Sequence, residues 1–177
     1  MYLLIGDIGN TITKFCLVNQ SNYKIKKIVY ISSNTFSKKE NIKVTLKNIL
    51  KSKKVNKCAL FSSVVTKHKT IIKSFLKKNY NISLIEIKDK GIKKIIKINI
   101  KNKNQVGSDR IANAVGVFTE FKSDCIVLDF GTATTFDVIT KKGLYIGGVI
   151  APGVNLSIKS LSNSADQIPL FLLKKQK

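Results

Sequence analysis

Apolar positions recur along the chain with two spacings, and each spacing predicts a different element. Segments in which apolar and polar residues alternate are typical of strands, whereas apolar residues three or four positions apart are typical of helices. Strands are predicted at 2–8, 11–18, 23–31, 57–63, 82–87, 124–130, 134–140 and 144–151. Helices are predicted after a capping box at 37–40, at about 67–79, from 107 to about 120 and at about 154–163. These elements predict an α/β protein.

The order of the elements predicts two related lobes. Residues 1–104 contain three strands followed by helix, strand, helix and strand, and residues 91–104 link the lobes. Residues 105–177 restart the three-strand pattern and end after one more helix. Both halves follow the order of a ribonuclease H-like lobe, but the second lacks the later strand, helix and strand. An unpaired sheet edge and an uncovered apolar face there predict marginal stability and aggregation.

A short phrase occurs twice, 122 positions apart, each time at the end of a predicted strand. The first copy begins Asp7-Ile8-Gly9-Asn10-Thr11, and the second begins Asp129-Phe130-Gly131-Thr132-Ala133. The glycine lets the backbone approach a phosphate, and the turn N–H groups and hydroxyls can donate to its oxygens. An aspartate at the strand end can hold a cation or a metal-bound water. The two copies predict the halves of an ATP-phosphate clamp, although each Asp could instead cap a hairpin turn.

The formal net charge of +22 suggests a nucleic-acid or membrane partner at first sight. However, 31 of the 32 basic residues are Lys, and the chain also contains 25 Ile and 15 Asn. These three residue types are the ones that A/T-rich codons favour. The lysines are scattered, and aromatic residues are not interleaved with them as stacking platforms. Genome composition therefore explains the charge, and no specific nucleic-acid partner is predicted.

Arg110 and three aspartates stand out against this bias. Arg110 is the only arginine, and a guanidinium binds a carboxylate or phosphate in a bidentate way that Lys does not. It directly follows Asp109, at the start of a predicted helix whose dipole favours an ionised carboxylate. Only ten acidic residues occur, yet Asp7, Asp109 and Asp129 all lie in Gly-containing motifs. This placement indicates a site; the alternative is a helix-terminal charge with a surface partner.

The remaining reactive side chains suggest no further chemistry. Cys16, Cys58 and Cys125 lie far apart in predicted strands, so we expect buried thiols in a reducing cytoplasm rather than a disulfide or metal site. His68 begins a Lys-rich helix and is expected to be solvated. The first strand begins almost at Met1, which leaves no room for a signal peptide, and no apolar run is long enough to span a membrane. A cytoplasmic protein without a membrane partner is therefore expected.

Four motifs, in this order, resemble those of the type III pantothenate kinases, a family of the acetate and sugar kinase, heat-shock-70 and actin superfamily. They are Asp7–Lys14, Val106–Arg110, Asp129–Thr135 and Gly147–Gly153, and Ser164–Pro169 resembles the segment that follows in the family. Related families share the Asp-Gly turns but not the sequence V-G-S-D-R. The resemblance spans nearly the whole chain and implies an actin-like ATPase fold of two ribonuclease H-like lobes, the second incomplete.

The resemblance also implies an activity and a set of site residues. The activity would be ATP-dependent phosphorylation of pantothenate to 4'-phosphopantothenate, the first step of coenzyme A biosynthesis, by a homodimer that uses Mg²⁺ and K⁺ or NH₄⁺. Asp129 would hold the monovalent cation, and Asp109 would take the proton from the primary hydroxyl of pantothenate. The pantothenate site would comprise Gly107, Ser108, Asp109 and Arg110. The ATP site would comprise Asp7, Ile8, Gly9, Asn10, Thr11, Ile12, Thr13, Lys14 and Thr132.

The chain departs from the family pattern in two places. Residues 100–103 read Ile-Lys-Asn-Lys where the family usually has Tyr-x-Asn-Pro, whose Tyr lines the pantothenate site. The family also continues for several dozen residues beyond Lys177. Gly147, Gly148 and Gly153 either set the backbone geometry of a strand end or shape the acceptor pocket.

Two hypotheses besides an active kinase remain open. One is a nucleotide-binding relic or regulator of the same fold that lacks turnover. The other is a ribonuclease H-like nuclease with Asp7, Asp109 and Asp129 around two Mg²⁺ ions. The nuclease requires further acids in the core strands of the first lobe, and Asp7 is the only one expected there.

Overall fold

A computed structural model describes residues 1–37, 39–51, 53–89, 91, 94–165 and 167–171. The strands are β1 (Tyr2–Ile8), β2 (Ile12–Asn19), β3 (Ile25–Ser32), β4 (Val55–Ser63), β5 (Ser83–Glu86), β6 (Lys97–Ile98), β7 (Cys125–Phe130), β8 (Ala133–Ile139) and β9 (Leu144–Pro152). The helices are α1 (Lys39–Leu50), α2 (Thr66–Tyr80), α3 (Ser108–Phe121) and α4 (Val154–Ser164), with short 3₁₀ turns at Ser33–Ser37 and Lys103–Gln105. Every predicted strand and helix is present, with ends within two residues. The predicted capping box includes residue 38, which lies outside the described residues.

The first sheet has the strand order β3-β2-β1-β4-β5. Strands β1, β2 and β3 form an antiparallel meander, and β4 and β5 continue the sheet in parallel. Helices α1 and α2 cover one face, because their apolar residues recur at helical spacing and match the alternate apolar positions of the strands. The fully buried centre of this lobe comprises Leu4, Ile8, Phe15, Leu17, Ile42, Leu46, Phe61, Ile72 and Leu76.

The second sheet has the strand order β6-β9-β8-β7. Strands β7, β8 and β9 repeat the antiparallel meander of the first lobe. Helix α3 packs on one face, and the small core there comprises Ile96, Val106, Ile111, Ala114, Ile139 and Tyr145. Strand β6 was not predicted, because two residues are too few to show a period. It pairs in parallel with β9, so this part of the predicted link belongs to the second sheet.

The opposite face of the second sheet carries exposed apolar side chains. The register of β7, β8 and β9 places them side by side, and their exposed fractions lie between 36% and 68%. We call this the outer face of the second sheet; it comprises Ile126, Leu128, Phe130, Phe136 and Val149. Among the described residues, no further strand pairs with the free edge of β7. The unpaired edge and the uncovered face expected from the sequence are thus both present.

The expectation of three buried cysteines was wrong. Cys58 is exposed, and Cys16 and Cys125 are only partly buried. Neighbouring residues of a strand point to opposite faces, so Ala59 enters the core beneath α1 and α2 while Cys58 faces away from it. Partial burial raises the pKa of the Cys16 thiol. An alternating strand sequence predicts which residues share a face but does not show whether a second layer covers that face.

No helix in the described part of the chain is both long and apolar enough to cross a membrane.

Candidate active site

The two Asp-Gly turns meet at the junction of the lobes. The hydroxyls of Thr11 and Thr132 share a hydrogen bond, with 2.6 Å between their Oγ1 atoms, although 121 positions separate them. A hydrogen bond from a glycine N–H closes each turn. The Gly9 N–H donates to the Ile12 carbonyl, and the Gly131 N–H donates to the Ala133 carbonyl. The structure therefore brings the two predicted clamp halves into direct contact at the junction of the lobes.

Residues of the first turn divide into those that are exposed to solvent and those that face the core. Asn10 and Thr11 are exposed, as is Ile12. The side chains of Ile8 and Thr13 are fully buried, and the Thr13 hydroxyl bonds to the Ser33 hydroxyl at 3.0 Å. Of the residues predicted to bind ATP, Ile8 and Thr13 can therefore offer only backbone groups.

Asp7 lies one residue before the end of β1, where neighbouring charges of opposite sign act on its carboxylate. Its carboxylate forms an ion pair with Lys14, the residue opposite it on β2, at 3.5 Å. Burial raises the pKa of Asp7, Lys14 lowers it, and the nearby charge of Asp109 raises it, with a net upward shift. Two predicted carboxylates from different lobes therefore lie close enough to interact. Lys14 contacts the carboxylate in this structure.

In the second turn, Asp129 is exposed at the end of β7, and its Oδ2 accepts a hydrogen bond from the side chain of Asn113 on α3 at 2.9 Å. The turn also packs closely against Gly153, whose N–H donates to the carbonyl of Thr132. A Cβ on Gly153 would overlap the carbonyls of Gly131 and Thr132. Gly153 is therefore needed for a close approach of backbone to the predicted nucleotide turn.

The start of α3 is anchored to the first lobe by Ser108. Its hydroxyl accepts a hydrogen bond from the Ser63 N–H at 2.9 Å and donates one to the Ser63 carbonyl at 2.8 Å. The Ser108 side chain is buried, so it joins the lobes and leaves only its backbone to a substrate. Asp109 follows in the first turn of the helix. Its Oδ1 accepts a bond from the Arg110 N–H, and the absence of a Cβ at Gly107 makes room for this oxygen.

Arg110 reaches into the second lobe and pairs with Asp137, a residue that sequence reasoning missed. Arg110 Nε donates to Asp137 Oδ1 at 2.8 Å, and Arg110 Nη2 lies 2.6 Å from the same oxygen as an ion pair. The Tyr145 hydroxyl also donates to Asp137 Oδ1. Burial lowers the pKa of Arg110, but the hydrogen bond and charge of Asp137 outweigh it and raise the pKa overall. The sequence did hold one signal for this residue: Asp137 is one of only ten acidic residues, and it lies close to the second Asp-Gly turn.

The argument against the nuclease hypothesis rested partly on a wrong count, because the first lobe holds a second carboxylate in its core strands. Glu86 lies in β5 and is buried, but it forms an ion pair with Lys69 of α2 at 3.4 Å. Across the described ranges, no three His, Cys, Asp or Glu side chains form a group that could hold a metal ion. The structure therefore does not assemble Asp7, Asp109 and Asp129 into a two-metal centre.

The site residues do fit ATP and hard cations. Carboxylate oxygens are the ligands that Mg²⁺ prefers, and Asp7 and Asp129 present partly exposed carboxylates beside the two turns. Turn N–H groups and the hydroxyls of Thr11 and Thr132 can donate to phosphate oxygens. The two turns therefore offer hydrogen-bond donors to a phosphate at the junction of the lobes.

Two solved structures show the same architecture. An ethanolamine utilization protein EutJ from Carboxydothermus hydrogenoformans aligns with a TM-score of 0.50 at 16% identity, covering 96% of this chain and 58% of that one. A Sinorhizobium meliloti protein assigned as a 2-dehydro-3-deoxygalactonokinase aligns with a TM-score of 0.52 at 7% identity, covering 93% and 57%. At these identities the likeness shows the fold alone. The predicted actin-like ATPase fold is confirmed.

Sequence comparison identifies the family. A family model described as type III pantothenate kinase matches residues 3–177. The type III pantothenate kinase of Pelagibacter ubique is 49% identical over 173 residues, covering 98% of this chain and 68% of the relative. That of Desulforapulum autotrophicum is 34% identical, covering 94% and 64%. The chain thus spans about two thirds of the length of these relatives. It belongs to the type III pantothenate kinase family.

Proposed function

We propose that this chain catalyses the transfer of the γ-phosphoryl group of ATP to pantothenate, the first step of coenzyme A biosynthesis, in the cytoplasm. The observation that carries the proposal is the meeting of the two Asp-Gly turns at Thr11 and Thr132, with Asp109 close to Asp7 beside them. Phosphoryl transfer requires mainly positioning and charge neutralisation, which such a junction supplies. Family membership supports pantothenate as the acceptor.

In this proposal each site residue has a distinct role. Asp109 accepts the proton of the primary hydroxyl as that hydroxyl attacks the γ-phosphorus. Exposed Asn10, Thr11 and Thr132 contact the nucleotide, together with backbone groups of residues 7–14. Asp129 would hold K⁺ or NH₄⁺, and Asp7 would hold Mg²⁺ directly or through a bound water. These cations would supply neutralising charge for the phosphates.

The acceptor side is formed by the start of α3 and by Arg110. The Ser108 hydroxyl is occupied within the protein, so Gly107 and Ser108 contribute backbone to this pocket, and Arg110 contributes its guanidinium. We also propose a homodimer, on family resemblance alone; sedimentation equilibrium would measure it.

A coupled assay of ADP release tests the proposed activity. We expect release to require pantothenate and Mg²⁺, and to rise severalfold when K⁺ or NH₄⁺ replaces Na⁺. Mass spectrometry of the product should show 4'-phosphopantothenate. ADP release at the same rate without pantothenate would identify an ATPase and contradict the proposal. ATP binding without any turnover would favour the relic hypothesis.

A further inference from the structure

A buried cluster of polar groups in the second lobe contacts the Arg110 guanidinium. Asp137 of β8 is fully buried, and its Oδ1 accepts hydrogen bonds from Arg110 Nε and from the Tyr145 hydroxyl of β9. Its Oδ2 lies 3.4 Å from the Thr135 hydroxyl. Tyr145 is 1% exposed, and the Arg110 side chain is 11% exposed. One edge of the only guanidinium in the chain is therefore fixed from inside the second lobe.

The backbone of β9 closes this cluster at Gly148, which lies opposite Asp137 in the sheet register. A Cβ at Gly148 would overlap Arg110 Nη2, Asp137 Oδ1 and the carbonyl oxygen of Phe136. A larger residue would therefore displace the ion pair. Two strands and a helix supply parts of one close-packed arrangement, and the glycine of the G-G-V-I-A-P-G motif makes room for it.

Stability alone is a weak reason for such a pair. Desolvation of two buried charges offsets most of their attraction, and apolar residues of similar volume often stabilise a core as well or better. What the cluster does provide is a fixed orientation of the Arg110 guanidinium. A guanidinium held in one rotamer loses less conformational entropy when it binds an anion than a free side chain would.

The position of Arg110 connects the cluster to the acceptor pocket. Arg110 directly follows Asp109 in the first turn of α3, and the charge of Asp109 acts on its guanidinium. Asp137 contacts Nε and Nη2, and Nη2 is buried, so Nη1 is the terminal nitrogen left for an acceptor. A guanidinium held in this way can donate a charge-assisted hydrogen bond from Nη1 to a carboxylate oxygen.

We propose that Asp137, itself held by Tyr145, is a positioning residue that orients Arg110 toward the carboxylate of the acceptor substrate. This inference rests on the proposed function, because it takes pantothenate as the acceptor. Asp137 contacts no reacting atom and acts only through Arg110. Its loss should therefore weaken acceptor binding and leave nucleotide binding intact.

Two variants, Asp137→Asn and Tyr145→Phe, test this in the 177-residue chain, with Glu86→Gln as the control. Glu86→Gln also neutralises a buried, ion-paired carboxylate, but in the first lobe beside α2. Calorimetry measures pantothenate binding in the presence of a non-hydrolysable ATP analogue, fluorescence measures nucleotide binding, and thermal melting reports folding. A hydrogen bond to a charged group is worth about 1.5–3 kcal/mol, so Asp137→Asn should raise the Kd for pantothenate roughly 10–100-fold.

Tyr145→Phe should raise that Kd severalfold, and Glu86→Gln should leave it unchanged although it lowers the melting temperature. Nucleotide affinity should stay the same in all three variants. A double-mutant cycle gives the sharpest test: in an Arg110→Lys background, Asp137→Asn should add little, because it acts through a guanidinium that is already gone.

Three results would overturn the inference. One is an unchanged Kd for pantothenate in folded Asp137→Asn. If Asp137→Asn does not fold, an unchanged Kd in Tyr145→Phe would have the same force. Additive effects of Asp137→Asn and Arg110→Lys would show that Asp137 does not act through Arg110. A wild-type chain that binds nucleotide but not pantothenate would instead refute the proposed function, and the inference would fall with it.

Discussion

At the scale of single residues, Asp109 is the most informative position in the proposed mechanism. It lies in the first turn of α3, next to the start of the helix, and its charge acts on Asp7 across the lobe junction. A general base at this position would accept the proton of the acceptor hydroxyl as phosphoryl transfer proceeds.

Asp109→Asn should therefore lower the turnover number by about 10²–10⁴-fold while the Kd for ATP stays within about twofold. The amide cannot accept the proton, but it keeps the size of the side chain. Steady-state kinetics and nucleotide titration measure the two quantities. Glu120→Gln, an exposed acid on the same helix, is the matched control and should leave both unchanged. A loss of ATP affinity equal to the loss of rate would place Asp109 on the phosphates instead.

Asp7 should make stability depend on pH in an unusual direction. Folding raises its pKa above the ordinary value of 3.8, because burial and the charge of Asp109 outweigh Lys14. A raised carboxyl pKa means that this contribution to stability is present below pH 3.8 and is lost as pH rises through the folded pKa. Asp7→Asn should therefore melt above wild type at pH 7, and the difference should vanish toward pH 3.8. A lower melting temperature for Asp7→Asn at pH 7 would show that the Lys14 ion pair dominates.

The candidate site was partly visible in the sequence. The repeated Asp-Gly phrase and the solitary Arg110 were visible because they break a composition otherwise dominated by Lys, Ile and Asn. Asp137 was not, because its role depends on a side chain from α3 and a hydroxyl from β9 meeting inside the lobe. Such a partnership is set by tertiary packing, which no local pattern encodes.

At the scale of elements, the contact between β4 and α3 joins the lobes. The Ser108 hydroxyl satisfies both backbone groups of Ser63, so the end of β4 is tied to the start of the helix that carries Asp109 and Arg110. The helix start would otherwise be anchored mainly by the small core around Ile111 and Ala114. The Ser108–Ser63 contact therefore fixes the acceptor residues relative to the first clamp half.

Ser108→Ala should destabilise the protein by roughly 1–3 kcal/mol, because it leaves the Ser63 N–H and carbonyl without their partner in a partly buried position. Urea denaturation measures this loss. Ser160→Ala, at an exposed position on α4, is the control and should change stability by no more than about 0.5 kcal/mol. If Ser108→Ala unfolds like wild type but binds pantothenate more weakly, then the hydroxyl serves the substrate and not the lobe junction.

Elements were easier to predict than their environment. Strands β1 and β7 were predicted because each is a short apolar run that leads into an Asp-Gly turn, a local signal that needs no tertiary contact. Strand β6 was missed because it exists only through pairing with β9. Cys58 was misplaced because alternation assigns a residue to a face, and only the whole fold decides whether that face is covered.

At the scale of the whole molecule, the two lobes differ in how well they are covered. The first sheet has two helices and a large core on one face, whereas the second sheet buries a small core beneath α3. The outer face of the second sheet presents a row of large apolar side chains to solvent. Contiguous apolar patches of this kind promote association when nothing covers them.

The 177-residue polypeptide studied alone should therefore bind the dye ANS strongly and form concentration-dependent assemblies in light scattering. Leu128→Lys and Val149→Lys, which place charges on the outer face, should reduce both signals without changing nucleotide affinity. Lys substitutions at exposed Asn22 and Asn155 add the same charge elsewhere and should have no such effect.

Fusion of the residues that follow the matched region in the Pelagibacter ubique relative should raise the melting temperature by roughly 5–10 °C and increase turnover, because added apolar burial stabilises the second lobe. A scrambled segment of equal length is the control for that fusion. A monodisperse polypeptide with no ANS signal and full turnover would show that the second lobe needs no cover over this face.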